Sequence, residues 1–175
     1  MSLLSMHELI GKPVISVTNG QNIGSVADIM VDPDKLALAA LVTSKGSLLS
    51  RKIEAIRAAE VQVWGVHVIL VKEPDVVLKE DELYDRDAWM SFSDDLKSRD
   101  IVSLDGVRLG AIKDVLIDLQ GQLAAYELGK PYKEGEGLAE KRIPVDATQS
   151  LGKDFLVVDL RKIPSPSDQL DEIED

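Results

Sequence analysis

Short apolar runs alternate with Gly, Asn and Asp along most of the chain, and the runs are rich in Val, Ile and Leu. This spacing predicts strands rather than helices. The first half predicts strands near 13–17, 23–31, 36–43, 51–54 and 66–72, and the second half near 100–104, 109–117, 122–128, 141–145 and 154–160. Asn19-Gly20 and Asp105-Gly106 mark hairpin turns. Asp32-Pro33-Asp34-Lys35 and Asp118-Leu119-Gln120-Gly121 suit type I turns, with Asp in the first position. Two strands break the period of two: Val26 and Ile29 flank Ala27-Asp28, and Ile112 and Val115 flank Lys113-Asp114. A bulge is expected at each, because one extra residue must be absorbed and the strand must bend. Ile56–Gln62 and Asp146–Ser150 read as short helical turns.

The two halves repeat each other. Gly20–Asp32 matches Gly106–Asp118 without a gap at an offset of 86, with four identities and five apolar-for-apolar pairs. Beyond the turn the match is continued at an offset of 87, pairing Leu36-Ala37 with Leu123-Ala124, Leu41 with Leu128 and Gly65 with Gly152. The repeat is longer than a solenoid unit. It divides the chain into copies at 8–72 and 97–163, a linker at 73–96 and a tail at 164–175.

The shared pattern, Gly-x-x-(Leu/Ile)-Gly-x-(Val/Ile)-x-Asp-(Val/Ile)-(Leu/Met)-(Val/Ile)-Asp, resembles the PRC-barrel domain. Copy two carries it furthest, through Arg142-Ile143-Pro144-Val145 to Val158, whereas copy one has Ile53-Glu54 in place of Ile-Pro. The resemblance implies an all-β chain of two small, mostly antiparallel barrels in tandem, joined by an acidic linker. It also implies a bacterial or archaeal host. Members include the cytoplasmic domain of a photosynthetic reaction-centre protein and the C-terminal domain of a ribosome-maturation factor. Both act through protein contacts, and the family supplies no shared catalytic residues.

Charge changes the picture of partners. The chain has 31 acidic and 20 basic residues, a net charge of −11. That balance argues against nucleic acid, which needs a basic face. Linker and tail carry this excess, and the two copies together are nearly neutral. The tail is expected to be disordered and solvating. With no cysteine and only His7 and His67, no thiolate, disulfide or His-rich metal site is expected. No apolar run is long enough for a membrane span and no signal peptide is read at the N-terminus, so a cytoplasmic location is expected.

Candidate chemistry is sparse. Asp28/Asp32 and Asp114/Asp118 are paired carboxylates, but four residues along a strand span ~13 Å, too far for one cation. They read as solvent-facing and turn-initiating. His67 is expected on the last strand of copy one. No catalytic, cofactor-binding or metal residues are assigned and no cofactor is expected. The linker concentrates large apolar groups, Leu83, Trp89, Met90 and Phe92 among them. Packing across both barrels is the favoured reading, with a partner-docking strip anchored by Trp89 and Phe92 as the sharper one. The functional expectation is a non-enzymatic protein-interaction or assembly module with a protein partner and a possible homodimer. The alternative is a small-ligand binder or enzyme using a barrel cleft or the 129–137 loop.

Overall fold

A computed structural model describes residues 2–50, 52–129 and 142–163. Both the 130–137 part of the candidate loop and the 164–175 tail lie outside the described residues. Copy one comprises β1 (Leu4–Ser5), α1 (Met6–Leu9), β2 (Pro13–Ser16), β3 (Asn22–Ser25), β4 (Asp28–Asp32), β5 (Ala37–Ser44), β6 (Glu54–Arg57), β7 (Val61–Trp64) and β8 (Ile69–Val71). The linker adds β9 (Leu78–Lys79). Copy two comprises β10 (Met90–Ser91), a π-helical turn at Phe92–Leu96, β11 (Asp100–Ser103), β12 (Arg108–Ile117), β13 (Leu123–Leu128), β14 (Arg142–Pro144), β15 (Thr148–Leu151) and β16 (Phe155–Val158).

The sheets follow the same plan twice. Copy one pairs β4-β5-β6 in one sheet and β3-β2-β8-β7 in another. Copy two pairs β14-β13-β12-β11-β16-β15 as one path, because β12 runs unbroken where copy one divides into β3 and β4. The expected parity breaks are present: β12 shifts register against β13 between Ile112 and Asp114, and the chain leaves strand geometry at Val26-Ala27. Every pairing within these paths is antiparallel except β2–β8 and β11–β16, which are parallel.

Among the described residues, five short strands, β1, β7, β9, β10 and β15, lie outside the expected ones. The turns expected at 56–62 and 146–150 are only three residues of 3-10 helix, at Ala58–Glu60 and Val145–Ala147. Each leads straight into a strand, β7 or β15, that begins inside the span expected to be a turn. The first of these also displaces the expected strand at 51–54, which lies at Glu54–Arg57. His67 sits in the exposed bend before β8 rather than on the strand.

Strand pairing also corrects the repeat register. Asp28, Ile29 and Met30 face Val42, Leu41 and Ala40, while Asp114, Val115 and Leu116 face Glu127, Tyr126 and Ala125. β5 and β13 therefore align at an offset of 85, not 87. The turn after Asp118 is one residue shorter than the turn after Asp32. A two-residue slip preserves strand parity, so apolar matching alone does not detect it. At the true offset Leu38-Ala39-Ala40 coincides with Leu123-Ala124-Ala125.

An approximate two-fold relates the copies. Ala37 and Gln122, which are equivalent residues, form a bridge with each other. The amide of Leu38 donates to the Gly121 carbonyl at 3.0 Å, and its mirror, Leu123 to Leu36, measures 3.1 Å. Trp64 of copy one packs within 3.3 Å of where a Cβ on Gly121 would lie. One apolar core runs through both copies, with Ile29, Leu41, Ile56 and Ile69 from the first and Ile101, Val115, Tyr126 and Leu156 from the second.

The linker packs in two places: Phe92 and Leu96 enter the core that both copies share, while its middle lies on copy one. Leu83 packs with Ala40, Val42 and Ala55, a small second core edged by Met30, Leu78 and Trp89. The strand pairings put Glu127 and Arg142 of copy two where copy one has Val42 and Ala55. Glu127 instead meets Arg142 at 3.7 Å and Lys113 at 3.8 Å. Copy two thus keeps this face charged, and burying it under an apolar linker would carry a desolvation cost.

Candidate functional site

Each copy begins with a strap that docks on the other copy. β1 pairs antiparallel with β12, Leu4 facing Ile117 and Ser5 facing Leu116. β10 pairs with β4 in the same way, Met90 facing Val31 and Ser91 facing Met30. All four pairs are related by the offset of 86. After the strand, each strap turns into a short helix that buries an apolar pair, Met6 and Leu9 or Phe92 and Leu96. Ser5 and Ser91 cap these helices, accepting from the amides of Glu8 and Asp94 at 3.2 Å. The second helix holds one extra residue and absorbs it as a π turn, Lys97 N–H reaching the Phe92 carbonyl.

Receiving the straps are the motif aspartates. Asp28 is 3 % exposed and Asp114 9 %, so neither faces solvent as strand alternation suggested. Ser91 Oγ donates to Asp28 Oδ2 at 2.6 Å. Ser93 donates to Asp28 Oδ1 from its hydroxyl at 3.0 Å and from its amide at 3.2 Å. Across the pseudo-dyad, Ser5 Oγ donates to Asp114 Oδ2, and the His7 amide to Oδ1 at 3.1 Å. Each aspartate also accepts the next backbone amide, Ile29 or Val115, at 2.8 Å. These carboxylates are therefore spent on holding one copy to the other. Lys45 lies 3.1 Å from Asp28 Oδ2. Burial pushes the Asp28 carboxyl up, but bonds from Ser91, Ile29, Lys45 and Ser93 outweigh it and hold it below the ordinary carboxylate range.

The other motif carboxylates keep their expected role. Asp32 accepts from the amides of Asp34 and Lys35, and Asp118 from Gln120 and Gln122. Such Asx contacts initiate turns. The motif glycine has a backbone reason at Gly24, whose φ is +145° and whose missing Cβ would sit 3.3 Å from Thr43. His7 and His67 are both exposed. Among the described residues no cluster of three or more His, Asp and Glu is arranged to hold a metal ion, and no helix is long and apolar enough to cross a membrane.

The structure separates the four linker candidates. Leu83 and Phe92 are each 1 % exposed, one in the small core and one in the shared core, so neither is presented to a partner. Met90 is half-buried in β10. Trp89 is half-buried beside Arg57, whose guanidinium lies 5.6 Å from its ring and 5.6 Å from that of Tyr84. Arg57 also makes a bidentate pair with Asp85 at 2.9 and 3.1 Å, which holds the Asp85 carboxyl below its ordinary value. This clamp fastens the linker just ahead of strap two. Arg57→Ala is expected to lower stability by only about 1 kcal/mol, since the pair is partly solvated. Trp89 emission should shift to the red and quench more readily with acrylamide; unchanged quenching would mean that the clamp does not hold the ring.

The reciprocal straps were legible only in part. Leu4-Ser5-Met6 and Met90-Ser91-Phe92 repeat at the same offset as the motif, and Ser-x-x-Glu and Ser-x-x-Asp read as caps. That signal lies upstream of the repeat boundaries read at 8 and 97.

No curated protein matches the chain. The profile of the PRC-barrel domain matches twice, over residues 1–79 and 90–163. Both matches include the straps, so strap, receptor aspartate and strand order recur together. The chain belongs to the PRC-barrel domain family and carries the domain in tandem.

Proposed function

We propose that this protein is a non-enzymatic interaction and assembly module acting on a protein partner. One observation carries the reading. The parallel strands β2 and β8 are apolar on both faces: Val14, Ile69 and Val71 point into the core, while Ile15 and Leu70 stay partly exposed. Ile15, Leu70 and Val63 line up in register across β2, β8 and β7. Copy two repeats the row with Val102 and Val157 in register on β11 and β16, beside the exposed Phe155. Parallel strands are normally covered on both sides. An uncovered apolar row of this kind fits a flat protein surface.

Leu70→Glu tests it. The side chain is partly exposed, so the fold should survive with a melting temperature near that of the wild type. A partner retained by the tagged wild-type chain from its native cells should be lost from the variant. Retention of the same partner by Leu70→Glu and by Val157→Glu would sink the reading.

A further inference from the structure

The connection from β5 to β6 carries Leu48 and Leu49 fully exposed, the one adjacent pair among the exposed large apolar residues described. Single exposed apolar side chains are ordinary, but a pair at a projecting tip is not. The loop that presents them is closed. The Ser47 amide donates to the Ser50 carbonyl at 2.7 Å and the Ser50 amide to the Ser47 carbonyl at 3.2 Å. Ser47 Oγ accepts from the amides of Leu49 and Ser50 at 3.3 and 3.2 Å. Gly46 holds φ +79°, and a Cβ there would collide with the Ser50 carbonyl, so the turn closes only with glycine. Lys45 ties the root of the loop to Asp28 at 3.1 Å, and Lys52 is exposed on the return. Between Asp34 and Glu54 the sequence has four basic residues and no acidic one, in a chain of net charge −11.

We propose that this loop docks the protein on a lipid bilayer with anionic headgroups. Leu48 and Leu49 enter the interface, and Lys52 meets the phosphates behind them. Area and charge select lipid over a protein. Two leucines at a tip bury far less than the roughly 1,200 Å² of a specific protein interface. A bilayer needs no complementary outline, only buried apolar area and electrostatic attraction. The bases of the loop have the sign that an anionic leaflet attracts, while the acidic excess elsewhere keeps the rest of the body off that surface, so contact is made by the tip. Because the turn is already closed, insertion orders little more of the chain. One shallow insertion makes the attachment weak and reversible. The loop joins strands of the β4-β5-β6 sheet, whereas the Leu70 row lies on the β3-β2-β8-β7 sheet, so the two surfaces act separately.

Co-sedimentation of the full chain with vesicles of equal parts phosphatidylglycerol and phosphatidylcholine tests this. Wild type should be carried down as lipid is added, several-fold less by phosphatidylcholine alone, and less as salt is raised. Replacing both leucines, Leu48→Ser with Leu49→Ser, should cut partitioning roughly ten-fold. The melting temperature should not move, because neither side chain is packed. Lys52→Gln should cut partitioning roughly five-fold. Leu48→Trp puts a fluorophore at the tip, and its emission should shift to the blue when the vesicles are added. Wild type that stays in the supernatant with anionic vesicles would overturn the proposal. If the double variant then lost a protein that wild type retains, the tip would be a protein-docking element instead. Vesicle binding kept by the double variant would also overturn it and place the lipid contact elsewhere. Leu70→Glu should bind vesicles as wild type does, so failure of the partner reading leaves this one measurable.

Discussion

Asp28→Ala is expected to destabilise the protein by about 2–4 kcal/mol, a large part of the 5–15 kcal/mol typical of a domain. The substitution strands the Ser91 hydroxyl, the Ser93 amide and the Ile29 amide in a site that is 3 % exposed. Lys45 contributes less, because it is half exposed and can turn to water. Denaturant titration at neutral pH measures the loss. Ser91→Ala should cost less on its own, and the double variant should cost clearly less than the sum of the two, since both remove one bond. Strict additivity would mean that the Ser91–Asp28 contact is not what joins strap two to copy one.

The same carboxylate sets an acid limit. Its folded value lies below the ordinary one of about 3.9, so its contribution is fully present above that pH. The contribution fades as the pH falls through the folded value, where protonation takes an acceptor from the Ser91, Ser93 and Ile29 donors. Wild type should therefore lose stability more steeply below about pH 4 than Asp28→Asn, which has no such proton to gain. Parallel pH profiles for the two proteins would remove Asp28 from the acid response.

Strand periodicity was sufficient for the fold class and the bulges, because both depend on residues close in sequence, and the ungapped match of Gly20–Asp32 to Gly106–Asp118 was sufficient for the tandem arrangement. The role of Asp28 and Asp114 was not legible in the same way. On a strand, a lone Asp between apolar neighbours reads as the solvent side of the alternation. Here the chain breaks period two beside each one, which turns the carboxylate inward, and the groups that satisfy it come from 63 and 109 residues away. No local pattern encodes a partner at that separation. The seat of the linker's middle was hidden for a related reason. Its apolar residues were evident, but whether Leu83 and Trp89 lie on copy one or on copy two depends on a charge difference at two strand positions, Val42 against Glu127 and Ala55 against Arg142. That comparison requires the correct β5–β13 register, which parity leaves ambiguous by two residues.

Phe92→Ala is the second large effect, and it decides what the linker aromatics are for. As a docking anchor Phe92 would be replaceable without loss of fold, and only partner binding would suffer. Its side chain instead fills the core shared by the two copies, at 1 % exposure, in a turn held between the Ser91 cap and Leu96. Truncating a buried Phe costs about 3–5 kcal/mol through lost transfer energy and the cavity left behind. For a chain of this size that corresponds to a melting temperature lower by on the order of 10 °C. Tyr84→Ala supplies the contrast. Tyr84 is 87 % exposed and touches the described structure through the Arg57 guanidinium, so its loss should move the melting temperature by a few degrees at most. Calorimetry on the two variants separates the cases. If Phe92→Ala melted with the wild type, strap two would not be a structural element, and the copies would be held together by strap one, the Ala37–Gln122 bridge and the remaining shared core.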